Sequence, residues 1–508
     1  MLLERKEVGW LLTEAEVFSI ARAMLGLVVS MKRAVLFSVL VCLSSCGIIP
    51  DHQTPVPDLN SPDHWTGTTA FSVQDPLPWL LEIQDPALEA LVKEALLHNF
   101  DLQAASARVE IARATARVNG ADRFPQVSAG ADAMRSQRNS TQGFTLTNPR
   151  NNNFGVDFSL NWELDVWGKL KNRAQAAELG FAASEMDFKY ARLSLAARVA
   201  SAWFRVIGAN QQLGLAEKKV QAFIQTQKII YDGFVDGIFN PLDLRLARAN
   251  VSVAQSQRDG RRMGLDNALR SLEILLGRYP QASLAAAASL PELKPHTAVS
   301  LPSTLLRRRP DIIAAEQRLL AADQQFNAAW KNLLPSFSFA ASGGTNAGRL
   351  SDILDYNQLV WNILGNLTQP LFQGGRLIAQ KEQANAQALE AASNYATVIL
   401  TAYFEVETGL YSEQLLETQE KSFQIASHES VEAERLALEE YSSGLVDMMT
   451  LLESQRRSYD ARSALLEVST QRLLNRVNLY LALGVDIEIE NDPSPAMDQG
   501  WFVSSSVN

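Results

Sequence analysis

The chain has 508 residues, of which 47% are hydrophobic and 20% are charged, and its formal net charge is −10. This composition is that of a folded protein and excludes wholesale disorder. The negative charge argues against nucleic-acid binding, which needs a basic face to neutralise phosphates. Two cysteines near the N-terminus, Cys42 and Cys46, and five scattered histidines make no ligand-spaced cluster. We therefore expect neither a metal site nor a cofactor.

Residues 31–47 have the organisation of a bacterial export signal. Lys32 and Arg33 precede an apolar run, Ala34 to Leu43, that is too short to cross a bilayer. The following Leu-Ser-Ser-Cys resembles the lipobox of bacterial lipoproteins, which implies that Cys46 carries acyl chains such as palmitate. Gly rather than Asp follows the cysteine, and by the same resemblance this favours the outer membrane.

The flanks of this signal suggest further boundaries. Residues 1–30 contain four glutamates and do not fit a signal, so we expect translation to begin at Met31 and 1–30 to be a mis-annotated extension. Residues 31–45 would then be the signal peptide. Residues 46–85 are rich in proline, which predicts an extended strap that is poor in helix.

The remainder of the chain contains one unit twice, at an offset of about 207–210 residues. Matched landmarks follow in the same order in both copies: Asp101 and Asp311, Phe124-Pro125 and Leu334-Pro335, Val166-Trp167-Gly168 and Leu371-Phe372 before Gly374, Ala202-Trp203-Phe204 and Ala402-Tyr403-Phe404, Gly237 and Gly444, Leu276-Gly277 and Leu483-Gly484. Such self-similarity indicates internal duplication. We place the repeats at 86–278 and 303–484, a connecting equatorial segment at 279–302 and a loosely draped tail at 485–508.

Each repeat is predicted to run helix, strand, loop, strand, very long helix, turn and helix. The long proline-free stretches 169–232 and 375–440 are rich in strong helix formers. A helix of that length extends roughly 95 Å, whereas a bilayer core is only about 30 Å thick. The long helices must therefore project far into water, with their tips at 233–243 and 441–450.

The segment Phe154–Trp167 alternates strictly between apolar and polar residues. Its apolar positions, which we expect to face lipid, include Phe154, Val156, Phe158, Leu160 and Trp162. A membrane-spanning strand needs about 9–11 such residues, although a soluble hairpin with one wet face has the same pattern. Similar alternation occurs at 127–133, 337–341 and 361–367, and the polar stretches 136–153 and 342–357 are expected to be loops.

Four strands are too few for a closed barrel of one chain. About eight strands is the practical minimum, and an open sheet edge cannot face lipid. A spanning barrel would therefore need two chains or three.

Several motifs together resemble the TolC-like outer membrane factors, specifically the lipoprotein (NodT-like) branch that serves resistance-nodulation-division (RND) efflux pumps. These motifs are Leu305-Leu306-Arg307-Arg308-Arg309-Pro310-Asp311-Ile312 with Ala315-Glu316, Trp162–Gly168, Pro370–Gly375, and Tyr441–Gly444 before Thr450–Arg456.

The resemblance implies a mainly α fold with a membrane β-barrel portion. Three chains would form a 12-stranded β-barrel and a 12-helix periplasmic α-barrel. The implied function is a passive duct for small molecules such as drugs, without catalysis. The implied partners are two further copies, outer membrane lipid, a periplasmic adaptor and an inner-membrane RND pump. The adaptor would meet the tips around Gly237 and Gly444.

Four residues near the second tip match the family's periplasmic gate: Met449, Thr450, Glu453 and Arg456. Three carboxylates near one axis repel each other and attract cations, so closure would depend on apolar contacts and ion pairs. Glu453 stands where relatives often carry Asp. The simpler interpretation is that Glu453 and Arg456 form a surface pair at i,i+3.

Other interpretations remain open. Arg307, Arg308 and Arg309 suit the end of a short helix, and Pro310 suits the first turn of the next. A type I protein secretion channel, or a lipid-anchored periplasmic coiled-coil scaffold, would share many of these features. The chain lacks the G-x-S-x-G, H-E-x-x-H, Walker A and G-x-G-x-x-G motifs, so we do not expect an enzyme.

Overall fold

The computed structural model describes residues 53–56, 59, 65–66, 79–137, 140–142, 145–147, 150–293 and 302–487. The expected extension 1–30, the signal 31–45 and the lipid-bearing Cys46 lie outside these residues, as does most of the tail. No helix among the described residues is long and apolar enough to cross a membrane.

The described chain is mostly helical. The helices are α1 (Trp79–Ile83), α2 (Pro86–His98), α3 (Phe100–Ala121), α4 (Lys169–Val235), α5 (Pro241–Leu275), α6 (Pro302–Arg308), α7 (Pro310–Lys331), α8 (Arg376–Ser442) and α9 (Met448–Ala482). The strands are β1 (Gln126–Gln137), β2 (Ser140–Gln142), β3 (Thr145–Thr147), β4 (Arg150–Leu164), β5 (Ser336–Ala347) and β6 (Leu359–Thr368).

Three pairs of matched helices in the two repeats are equal in length. Helices α4 and α8 each have 67 residues, α5 and α9 each have 35, and α3 and α7 each have 22. The repeats differ in the second strand of each pair, since β4 has 15 residues and β6 has 10. The offset falls from 210 between α3 and α7 to 207 between α4 and α8, so the change arises in the hairpins between them. The pairing of Ala202-Trp203-Phe204 with Ala402-Tyr403-Phe404, at an offset of 200, was wrong, because α4 and α8 begin and end 207 residues apart and Gly409 therefore matches Ala202.

The four longest helices all end at a glycine with positive φ. Gly237, Gly277, Gly444 and Gly484 each follow a helix with φ between 64° and 76°. At the two tips, Ile238 N donates to Gly233 O at 2.8 Å and Leu445 N donates to Glu440 O at 2.9 Å. This is the Schellman arrangement, which satisfies the last carbonyls of a helix and favours glycine because L side chains rarely adopt positive φ.

The four long strands form one antiparallel sheet in the order β1-β4-β5-β6. The central pairing of β4 with β5 joins the two repeats, with Phe154 opposite Ala347 and Leu164 opposite Phe337. Strands β1 and β6 are the edges of this sheet within the described residues. Strands β2 and β3 form a separate two-stranded hairpin.

The expected strand and loop boundaries were partly wrong. Strand β4 runs from Arg150 to Leu164, so Val166 and Trp167 lie beyond it, where the chain turns towards Gly168 (φ 72°). Much of the expected loop 136–153 is strand, and β5 extends to Ala347 inside the expected loop 342–357. The polarity of these stretches misled the prediction, because a ladder of backbone hydrogen bonds tolerates polar side chains that face water.

The expected strap 46–85 is not wholly extended, because its residues Trp79–Ile83 form α1. The Trp79 ring stacks on Tyr480 with centroids 6.2 Å apart. Further upstream, Thr54 Oγ1 donates to Asp323 at 2.6 Å. Proline is absent between Trp79 and Ile83, and burial of Trp79 stabilises the single turn. The described part of the strap is therefore docked on the helices.

The start of the expected tail 485–508 is not loose. Val485 and Ile487 are 4% and 8% exposed and belong to the main hydrophobic core. The Schellman bond from Val485 N to Tyr480 O, 3.0 Å, turns the chain back onto that core.

Arg309 directly follows the short helix α6, as the structural interpretation of the arginine run predicted, and it joins the two ends of the second repeat. Its side chain is 2% exposed and pairs with Asp311 and Glu405, both at 2.7 Å. Its guanidinium also donates to Ala482 O at 3.0 Å. Burial alone would lower the pKa of Arg309, but the two carboxylates outweigh it and raise the pKa.

We expect Arg309→Ala to lower the free energy of unfolding by about 3 kcal/mol, because it leaves two carboxylates and a carbonyl without their shared donor. Arg307→Ala is the matched control, since Arg307 is exposed. Thermal unfolding of the detergent-solubilised protein, followed by circular dichroism, measures both. Equal midpoints for the two variants would contradict a role for Arg309 in holding the repeat together.

Candidate functional site

The two helix tips are short turns with matching caps. Asn240 accepts a hydrogen bond from Asp243 N at 2.9 Å and begins α5. Asp447 begins α9 and accepts bonds from Thr450 N at 2.8 Å and Thr450 Oγ1 at 2.7 Å. These bonds from Thr450 hold the pKa of Asp447 below its ordinary value. Asp447 was missed in the sequence, although an acidic residue just before a helical pattern is a capping signal.

An aromatic pair joins the tips of the two repeats. Phe239 stacks on Tyr441, with centroids 5.1 Å apart and ring planes 10° apart. Burial raises the pKa of Tyr441 to about 12. A Cβ at Gly233 would lie 2.2 Å from the Phe239 ring, so this glycine makes room for the pair. Buried aliphatic residues complete the cluster: Ile230, Leu244, Ala247, Ala437, Met448 and Leu451.

The predicted gate residues lie on the first three turns of α9. Met449 is 63% exposed. Glu453 pairs with Arg456 at 2.8 Å and with Arg457 at 2.7 Å, and Arg456 also pairs with Asp460 at 3.2 Å. Bonds from Arg456 and Arg457 lower the pKa of Glu453 to about 2. The expected surface pair at i,i+3 therefore exists, as part of a larger charged cluster that includes Arg457 and Asp460.

Exposed apolar side chains surround the two tip glycines, Gly237 and Gly444. They are Val235, Ile238, Leu242, Leu445 and Met449, each more than 60% exposed. The sequence prediction named the glycines and Met449 but missed the other four. Two of these, Ile238 and Leu445, had a signal in the sequence, because apolar residues in a turn between helices have no helix face to cover.

The strand register places the predicted lipid-facing residues on one surface. Leu160 lies opposite Val127 and Ala341, and Phe158 lies opposite Ala129 and Gly343. Since directly opposed residues project to the same face, the four alternating patterns of the sequence share a single apolar face. Its five predicted members are Phe154, Val156, Phe158, Leu160 and Trp162, of which Phe158 is 60% exposed.

The other face of the sheet is polar. Ser128 and Ser159 are hydrogen-bonded across it at 2.7 Å. Gly155 lies opposite Asp132 and Gly130 lies opposite Asp157. A Cβ at either glycine would meet the facing carboxylate at less than 3 Å, so both glycines make room for acidic side chains. The sheet therefore separates an apolar surface from a polar, acidic one.

Comparison with known families identifies the class of protein. The family model described as outer membrane efflux protein matches residues 91–278 and 301–485, one match for each repeat. The chain belongs to this family, which confirms the resemblance to TolC-like factors.

Curated relatives cover nearly the whole chain. It is 31% identical to outer membrane protein OprJ of Pseudomonas aeruginosa over 87% of this chain and 93% of that one. It is 30% identical to cation efflux system protein CusC of Escherichia coli K12 over 88% and 98%. The probable outer membrane lipoprotein SilC of Salmonella typhimurium is 28% identical over 88% and 97%.

Solved structures share the fold. A membrane protein from Pseudomonas aeruginosa is 30% identical with a TM-score of 0.78, over 85% of this chain and 99% of that one. The MtrE outer membrane channel of Neisseria gonorrhoeae, in its open state, is 26% identical with a TM-score of 0.76, over 87% and 99%. This chain is accordingly an outer membrane component of an efflux system, and its relatives are channel proteins rather than enzymes.

We expect Gly444→Ala to loosen the second tip, because an L side chain at φ 72° costs roughly 1–2 kcal/mol. Exchange of the Leu445 amide, which bonds to Glu440 O, should become roughly 5- to 30-fold faster. Gly260→Ala is the control, since Gly260 lies inside α5 with open space around it and alanine is the better helix former. Unchanged exchange in Gly444→Ala would contradict the capping role.

Proposed function

We propose that three copies of this chain enclose one water-filled duct, with a 12-stranded β-barrel in the outer membrane and a 12-helix tunnel in the periplasm. The duct is passive and carries small molecules such as drugs or toxic compounds outwards. An RND pump in the inner membrane supplies the energy, and a periplasmic adaptor connects the pump to the tips of α4, α5, α8 and α9.

One observation carries this proposal: among the described residues, the sheet and the helices end on the same two sides in elements that have a neighbour on one flank only. The strands are ordered β1-β4-β5-β6, and the helices next to them are ordered α3-α4-α7-α8 by contact. Towards the tips the order is α5-α4-α9-α8. The outermost elements on one side are therefore β6 and α8. The outermost elements on the other side are β1, α3 and α5. A contact between two different sides is head-to-tail, and it forms a ring when the rotation between successive copies closes.

Apolar side chains on both sides support the same closure. Helix α3 exposes Phe100 and Ile111 at 70% and 65%, and α8 exposes Phe404 and Tyr411 at 69% and 59%. Closure would bury these residues between copies and pair the backbone groups at the edges of β1 and β6, which lipid cannot satisfy. The apolar sheet face would then meet lipid, and the acidic face would line the bore.

The repeat boundaries 86–278 and 303–484, with the connecting segment 279–302, are retained as part of the proposal. The two spans that match the family model, 91–278 and 301–485, support them.

The test is the assembled state of the full chain. Extracted from outer membranes in mild detergent, the protein should have three times the mass of one processed chain by light scattering. Inserted in a planar bilayer, it should conduct ions. A functional monomer in which Phe158 and Trp162 are buried in the hydrophobic core of a single chain would overturn the proposal.

The gate is proposed at Met449, Thr450, Glu453 and Arg456. We expect Glu453→Ala combined with Arg456→Ala to raise single-channel conductance, because the charged cluster that holds the first turns of α9 is lost.

Since the pKa of Glu453 is lowered to about 2, the carboxylate stays charged as pH falls from 7 to 4, and wild-type closure should persist over that window.

The control for the double alanine variant is Glu89→Ala with Lys93→Ala, a surface pair of similar length, 2.7 Å, on α2. Its conductance should equal that of the wild type. A gate variant that also conducts like the wild type would remove Glu453 and Arg456 from the gate.

Lipidation is proposed at Cys46, supported by the lipobox and by the relative named as an outer membrane lipoprotein. We expect Cys46→Ser to abolish incorporation of radiolabelled palmitate, whereas Cys42→Ser, inside the apolar run of the signal, should keep it. Mass spectrometry of the mature N-terminus provides the second measurement. Labelling that survives in Cys46→Ser would refute the site.

A further inference from the structure

A cavity of about 500 Å³ lies where the strands meet the helices. It is bounded by the start of α4, the last turns of α7 and the first turns of α8. Four cationic side chains line it: Lys169, Arg173, Lys331 and Arg376. Two carboxylates, Glu163 and Asp165, also line it.

Both carboxylates of the cavity are already engaged. Glu163 forms an ion pair with Lys169. Asp165 accepts hydrogen bonds from Leu170 N at 2.9 Å and Lys171 N at 2.7 Å and so caps α4. The backbone amides leave Asp165 charged, so Arg173, Lys331 and Arg376 give the cavity an excess of two positive charges.

These three cations are held by neutral amides. Lys331 Nζ donates to Asn172 Oδ1 at 2.6 Å, and Arg173 donates to Asn332 Oδ1 at 3.3 Å. Arg376 donates to the side chain of Gln373. None of the three forms an ion pair with a carboxylate among the residues that the structure describes. Amides position the cations without neutralising them, so the cavity is suited to an anion.

The Asn172 contact is itself built into the fold. Asn172 is 5% exposed, and its amide nitrogen donates to Gln324 on α7. This fixes the orientation of its oxygen towards Lys331. The ammonium is therefore held in place before any ligand arrives, which reduces the entropic cost of binding.

Apolar residues border the same cavity on the strand side. Leu164 and Trp167 line it, and the Trp167 indole packs against Phe337 with centroids 6.2 Å apart. Leu164 and Phe337 are directly opposed in the sheet and continue the apolar face. A ligand could place an anionic group among the cations and an apolar portion along the strands.

We propose that this cavity binds a phosphate group, with the head group of an anionic phospholipid as the favoured source. Arg173, Lys331 and Arg376 would donate to the phosphate oxygens, and the acyl chains would lie along the apolar face. A soluble phosphate is the other source of the same chemistry. The lipid source rests on the proposed barrel, because only then does the cavity lie at the membrane boundary.

The test uses the full-length protein and the triple variant Arg173→Gln, Lys331→Gln, Arg376→Gln. Native mass spectrometry with added phosphatidylglycerol counts the lipid molecules that each protein retains. Isothermal titration calorimetry measures the affinity of each protein for inorganic phosphate, the soluble alternative. We expect the triple variant to bind phosphatidylglycerol at least about tenfold more weakly, since three charge-assisted hydrogen bonds are removed. Inorganic phosphate should bind neither protein if lipid is the source, and only the wild type if the source is soluble.

Two controls keep the outcome decisive. The variant Lys171→Gln, Arg198→Gln, Arg205→Gln removes three exposed cations of α4 that do not line the cavity, and should bind like the wild type. The charge-keeping variant Arg173→Lys, Lys331→Arg, Arg376→Lys should retain binding because it keeps the three positive charges, and wild-type conductance of the Gln triple variant shows that it is folded. If wild type and triple variant bind both probes equally, the site is wrong. Conductance, measured in parallel, reports on the duct separately from the site.

Discussion

Unpaired backbone groups at the two edges of the four-stranded sheet are the constraint on which the rest of the structure depends. Strands β1 and β6 each offer a row of donors and acceptors that no described residue of the same chain pairs. In the proposed barrel these edges lie in lipid, where they have no water to bond with and would pair with another copy of the chain. The helices end on the same two sides, where α3 and α5 on one side and α8 on the other expose apolar residues.

Duplication makes this closure geometrically simple. The longest helices of the two repeats, α4 and α8, are equal in length, and β4 pairs with β5 across the repeat boundary as neighbouring strands pair within a repeat. In the proposed assembly, similar units around one axis would give a bore of even width. Phe239 stacked on Tyr441 joins the tips of the two repeats, and the bond from Arg309 to Ala482 O joins the two ends of the second repeat.

Much of the architecture was predictable because its signals are local and periodic. The order of elements, the tip glycines and the single apolar strand face followed from the repeat and from alternation. The boundaries of the hairpins were not predictable, since the polar residues of 136–153 read as loop while their backbone pairs as strand. Nor was docking of the strap, because the contacts of Thr54 with Asp323 and of Trp79 with Tyr480 join residues hundreds of positions apart.

The sequence by itself determined the duplication, the helix lengths, the helix-ending glycines and the family, because each is written in residue type and spacing along one chain. Only the tertiary structure decided which side chains meet. It brought Arg457 and Asp460 into the cluster of Glu453 and Arg456, buried Arg309 against Asp311 and Glu405, and gathered Arg173, Lys331 and Arg376 around one cavity. Such groupings depend on how helices pack against one another, which no local pattern encodes.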